Sequence, residues 1–276
     1  MRNLTRNEIG KLNNDLFMFE EWMKTNGFFN ETVKRKIRQI NIHVETGEEL
    51  KSARGIAHNN RIGLNENIIN DDIIRAKTLF HEMAHIIMGQ KNCSQEAYNN
   101  ILGEIINNTQ SFQDELKLPP VVYARGVTCL EEFLVEEFAQ ASFCMTKNVP
   151  FPTPQSLKNP SISGDYGYIS TYDSNYGIFQ SICNELVIKT FGNLPNAIRS
   201  SCQEEFFIKF FQVYDNVEIM NILGNLGQIL EAITSYAGHS QIGITNSPST
   251  IAKLLRETNI LVANIKPLEQ EKSRSI

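Results

Sequence analysis

Apolar residues recur at helical spacing between Arg6 and Lys24, at Ile9, Leu12, Leu16, Phe17, Phe19 and Trp22, and predict an amphipathic first helix. The period then changes. Ile40-Asn41-Ile42-His43-Val44 alternates with period two and predicts a strand, and Arg61-Ile62-Gly63-Leu64-Asn65 predicts a second, shorter one. Asn70-Asp71-Asp72 supplies capping side chains for a helix over about 73–88, with Gly89 as its stop. Further helical patterns cover 94–118, ended by Pro119-Pro120, then about 128–145, and then about 176–191, 203–214, 217–236 and 248–263. Residues 148–175, rich in Pro, Ser and Tyr, predict a long loop, and 266–276 a polar disordered tail.

This order of elements predicts an α+β, mostly helical chain with a small sheet near its start, and no internal repeat. With 276 residues and a hydrophobic fraction of 41%, the chain can bury a sizeable core, and a single domain over 1–265 is expected. The formal net charge of −5 argues against a nucleic-acid partner, which would require a basic footprint. No run of eighteen apolar residues predicts a membrane span, and the first nineteen residues lack the apolar core of a secretory signal. Cys93, Cys129, Cys144, Cys183 and Cys202 are odd in number and lack CxxC spacing, so reduced thiols are expected rather than a disulfide framework or a cysteine-built zinc site.

The candidate chemistry lies in His81-Glu82-Met83-Ala84-His85. On a helix, positions i and i+4 share a face, so both imidazoles can reach one metal ion, for which neutral histidine is a good ligand. Glu82 is about 100° around from His81 and suits a base that holds a water on the metal and takes its proton. Leu79, Phe80, Met83, Ala84, Ile86 and Ile87 surround the motif, so this helix is expected to be buried, and buried imidazoles need partners. Zn²⁺ is the expected ion.

A catalytic zinc keeps three protein ligands and one open position. No HxxGxxH extension follows His85, and the remaining histidines are His43, His58 and His239, so a glutamate is expected as the third ligand. In the stretch 130–143, Leu130, Phe133, Leu134, Phe138 and Ala141 form a core stripe, while Glu132, Glu136, Ala139 and Phe143 form a second. Glu136 is the leading candidate, Glu132 the next and Glu104 a third; Glu131 reads as solvated.

The segment 78–89 resembles the active-site helix of gluzincin metallopeptidases. Glu136-Glu137-Phe138-Ala139-Gln140 is similar to the glutamate-bearing helix of anthrax-lethal-factor-like peptidases, and both segments resemble the ImmA/IrrE metallopeptidases. The likeness covers roughly residues 60–146. It implies a zincin-like fold, with a small twisted sheet and the metal helix in an upper lobe (about 30–90) and a helical lower lobe (about 94–265). It also implies that Arg61 to Asn65 form an edge strand on which an extended substrate adds. Tyr123 resembles the transition-state tyrosine of lethal-factor-like enzymes, although it precedes Glu132 by nine positions and Glu136 by thirteen. His239 is a second candidate for that part, and Tyr166, Tyr168, Tyr172 and Tyr176 could line the cleft. Departures from these families are the 51 positions between His85 and Glu136, long for ImmA/IrrE, and the lack of a repressor-like helix-turn-helix.

The expected function is therefore a zinc-dependent endopeptidase acting on a protein or peptide substrate by Glu82-assisted attack of metal-bound water. The polar tail 268–275 is similar to signals of type IV secretion substrates, which points to a bacterial effector translocated into a host cytosol and acting on a host protein. The rival expectations are a cytoplasmic regulatory peptidase that cleaves a repressor and a zinc-binding module without turnover.

Overall fold

The computed structural model describes residues 2–50, 53–88, 118–147, 179–236 and 248–267. Helices α1 (Arg6–Thr25) and α2 (Glu31–Gln39) lead into strand β1 (Asn41–Glu45), a short helix α3 (Gly47–Leu50), and strands β2 (Gly55–His58) and β3 (Arg61–Asn65). Then come α4 (Asp72–Met88), α5 (Pro120–Lys147), α6 (Gln180–Phe191), α7 (Leu194–Cys202), α8 (Phe206–Val213), α9 (Asn216–Tyr236) and α10 (Pro248–Asn264). The chain is mostly helical with one small mixed sheet, in line with the α+β expectation. None of the described helices is long and apolar enough to cross a membrane. The predicted helix over 94–118, the loop over 148–175 and the tail lie largely or wholly outside the described residues.

Two compact units divide the chain: residues 1–90, 134–173 and 201–203, and residues 91–133, 174–200 and 204–276. Helix α5 is continuous and contributes its second half to the first unit.

In the first unit, α1 starts on a capping box in which Thr5 and Glu8 satisfy each other's backbone N–H groups. It buries Leu12, Phe19, Trp22 and Met23. β1 pairs parallel with β3, in the register Asn41 to Arg61, and β2 pairs antiparallel with β3, giving the order β1-β3-β2. This corrects one expectation. Arg61–Asn65 is the central strand, not an edge, so both its backbone flanks are already paired and no substrate can add to it. Its burial agrees, since Ile62 and Leu64 are fully buried. Gly63 accommodates the Glu45 carboxylate where a side chain would stand.

Helix α4 packs against the sheet. Asp71 caps it, its carboxylate accepting from the N–H groups of Ile73 and Ile74. From Arg75 to Met88 every residue but His81 is buried, as its apolar composition predicts. Phe80 of α4, Phe19 and Trp22 of α1, Phe28 and Phe138 of α5 form one ring cluster with centroids 4.9–6.2 Å apart. That cluster fixes α5 from Leu134 onward against the metal-motif helix.

In the second unit, glycines let α5 and α9 approach closely. A Cβ on Gly126 or Gly227 would collide with the carbonyls of Leu223 and Val122, respectively. Arg125 forms an ion pair with the buried Glu231. Phe191, Phe206, Phe207, Phe210, Phe211 and Tyr214 stack as an aromatic core. Across both units, Cys129, Cys144, Cys183 and Cys202 are buried free thiols, as expected; burial pushes Cys202 up to about 12, against the opposing charge of Lys36. Cys93 lies outside the described residues.

Candidate metal centre

Helix α4 presents His81 and His85 one turn apart, and the structure turns both rings toward each other. His81 Nε2 and His85 Nε2 lie 3.2 Å apart, with ring planes at 78°. Glu132 of α5 completes a group whose donor atoms all lie within 4.8 Å of one another. Among the described residues this is the group that could hold a metal ion. His43 is elsewhere, its Nε2 2.7 Å from the carboxylate of Glu45 on β1.

The third donor in the group is thus Glu132, where the sequence pattern favoured Glu136. The two glutamates are one helical turn apart on the same stripe, and the structure gives them different partners. Glu136 is 2% exposed, and its Oε2 is 3.1 Å from Nδ1 of His81. With Nδ1–H donating to Glu136, the tautomer of His81 is fixed and the lone pair is left on Nε2, the atom that faces His85. Carboxylates behind metal-binding histidines commonly act this way. Glu131, expected to be solvated, is instead buried at 6% exposure, because α5 is enclosed on nearly all sides here.

Two further residues escaped the sequence reading. Lys77, one turn before His81, is buried and places Nζ 3.5 Å from Glu136 Oε1. Burial pushes its ammonium below the usual lysine range, while the Glu136 carboxylate opposes that shift. The signal was a lone lysine on an otherwise apolar face at position i−4 from the first histidine. Gly55 on β2 is the second. A Cβ at this position would stand 3.0 Å from Cγ and 3.1 Å from Oε1 of Glu82. The bare backbone of Gly55 therefore makes the space that the Glu82 carboxylate fills at 7% exposure.

Tyr123 is not brought into the group. It precedes Glu132 by nine residues on α5, roughly 13 Å along the axis. Its ring packs where a Cβ on Gly224 would stand, and burial raises its hydroxyl above the usual tyrosine range against a hydrogen bond with the Leu118 backbone. Glu104, His239 and the four loop tyrosines lie outside the described residues.

The two imidazole nitrogens are spaced as ligands of a tetrahedral ion. Ligand atoms about 2.0–2.1 Å from zinc and tetrahedrally disposed are roughly 3.3 Å apart, close to the observed separation of the two Nε2 atoms. Without a cation between them, two imidazole nitrogens of neutral rings at this distance can share only one proton. Two imidazoles and a carboxylate are also a ligand set that zinc commonly accepts. No protein-family model matches the chain, and no curated protein or solved structure matches it.

Proposed function

We propose that this chain is a zinc-dependent endopeptidase of the gluzincin kind, with a zincin-like arrangement of helices α4 and α5. The observation that carries the reading is the convergence of His81 Nε2, His85 Nε2 and Glu132, with Glu82 buried beside them on the same helix. His81, His85 and Glu132 would hold the ion. When bound, zinc supplies a Lewis acid that polarises a carbonyl and makes a water acidic enough to attack near neutral pH.

The chain's own residues supply the rest. Glu136 keeps His81 in the tautomer that frees Nε2, and Lys77 supplies a positive charge beside Glu136. Glu82 is the general base: it accepts a proton from the attacking water and returns it to the departing amine. Gly55 of β2 leaves room for that carboxylate, where any side chain would press on it. A module that only stores zinc would have no task for Glu82, whose carboxylate is outside the donor group.

The test pairs metal analysis with proteolysis. Wild type and Glu82→Gln should each bind one zinc per chain, and only wild type should generate new peptide termini in a cell lysate. Wild type without stoichiometric zinc would overturn the reading. So would matching cleavage by the two proteins.

A further inference from the structure

On another side of α4, a second polar site opens in the first unit. Arg6, Asn7, Gly10, Lys11, Asn14 and Asp15 of α1, Asp72 and Arg75 at the start of α4, and Lys147 at the end of α5 line an open surface cavity of about 410 Å³. Arg75 precedes His81 by six residues, which places it roughly 120° around α4 and 9 Å along it. The cavity is therefore distinct from the metal group.

Its charges are held rather than cancelled. Asp15 is 1% exposed and accepts from Nε of Arg75 at 2.9 Å and Nζ of Lys147 at 3.0 Å. Asp72 accepts from Nη1 of Arg75 at 2.7 Å and lies 3.3 Å from Nζ of Lys11. Four cations, with Arg6 as the fourth, line the wall against these two carboxylates, which leaves two positive charges in excess. Arg75 is 2% exposed, and its Nη2 makes no hydrogen bond among the described residues.

Gly10 is an independent sign. A glycine inside a helix costs about 1 kcal/mol relative to alanine. Nothing in the packing requires it, since a Cβ there meets no atom within 4 Å. What its missing side chain does is leave one wall of the cavity bare, between Asn7 and Asn14.

We propose that this cavity binds a small phosphomonoester with a hydroxyl-bearing body. A phosphomonoester carries about −1.5 to −2 charge near neutral pH, matching the excess, and its oxygens suit guanidinium and ammonium donors. A cavity of 410 Å³ is far larger than one phosphate and within the size range of small-molecule sites. The asparagine amides supply the donors and acceptors that hydroxyl groups need. Bound there, the ligand ties the starts of α1 and α4 to the end of α5.

The test uses the full chain, titrated calorimetrically and by thermal unfolding with ribose 5-phosphate, glucose 6-phosphate and AMP. Ribose, glucose, adenosine and succinate are the controls. At least one phosphomonoester should bind one per chain and raise the midpoint by roughly 5 °C or more at hundredfold saturation. Its unphosphorylated partner and succinate should do neither. Gly10→Glu fills the bare wall with a carboxylate and relieves a helix-interior glycine, so it should fold at least as stably and bind at least tenfold more weakly. The proposal is overturned if no phosphomonoester outbinds its unphosphorylated partner, if succinate binds equally well, or if Gly10→Glu binds as wild type does.

Discussion

Replacing Glu136 and Glu132 in turn separates the two roles assigned on α5. Glu136→Gln keeps the volume and still offers an oxygen to Nδ1–H of His81, 3.1 Å away in the wild type. What it removes is the negative charge behind the imidazole, together with the partner of the buried Lys77 ammonium. Losing a carboxylate behind a metal-binding histidine typically costs 10–100-fold in metal affinity, about 1.4–2.7 kcal/mol. The stability cost is separate. Breaking a buried ion pair costs on the order of 3–5 kcal/mol, and an amide that still accepts from Lys77 should keep the loss near the low end. Glu132→Ala, by contrast, removes a donor of the group itself from a half-buried position, so it should weaken zinc binding further while unfolding the protein less. The assay is competitive zinc titration against a fluorescent chelator, with metal-free thermal unfolding in parallel. If Glu136→Gln weakens zinc more than Glu132→Ala does, Glu136 is the ligand and the assignment made from the geometry is wrong.

Other expectations follow from single contacts. Gly55→Val forces Glu82 and Thr78 aside, so it should lower kcat/KM by about a hundredfold through misplacement of the base, with zinc stoichiometry unchanged; equal activity would show that Gly55 does not position Glu82. Gly227→Ala places a methyl against the Val122 carbonyl and should destabilise the second unit by about 1–3 kcal/mol, measured by urea unfolding. Glu8 is held down to about 2 by hydrogen bonds from Arg2 and the Thr5 backbone. Its folded-state value is depressed, so its contribution, of about 1 kcal/mol as a capping residue, is complete above the unfolded value near 4.3 and is lost as pH falls through about 2. The stability difference between wild type and Glu8→Gln should therefore be present at pH 6, shrink below about pH 4 and vanish only below about pH 2.

Helix α4 was the most legible part of the chain because one short range of sequence holds its cap, its apolar enclosure and both histidines. The strand Arg61–Asn65 was equally clear as a strand, yet its place in the sheet was not. Pairing partners are distant in sequence, and β2, with only Gly55-Ile56-Ala57-His58, is too short to announce itself by alternation. Helix α2 was missed for a related reason: it buries only Val33 and carries charge on most of its surface. Helix α5 starts earlier than its apolar stripe suggests. Pro119-Pro120 marks the stop of the pattern that precedes it, and Pro120 is also the first residue of the helix, a position where its missing N–H costs nothing. Glu132 and Glu136 share a stripe by periodicity, and no one-dimensional pattern fixes which turn of α5 lies level with His85. That level is set by Phe138 packing into the rings of Phe19, Trp22 and Phe28.

That ring cluster also contains the chain's single tryptophan. Trp22 is 8% exposed, its indole N–H makes no hydrogen bond among the described residues, and it meets Phe138 edge-on at 5.1 Å, two residues beyond Glu136. Its emission therefore reports on one place alone. A dry, unbonded indole emits at short wavelength, so the folded protein should show a blue spectrum that shifts red only when α1 and the second half of α5 part. One optical channel can thus follow the first unit through metal removal or denaturant, with no label and no contribution from the second.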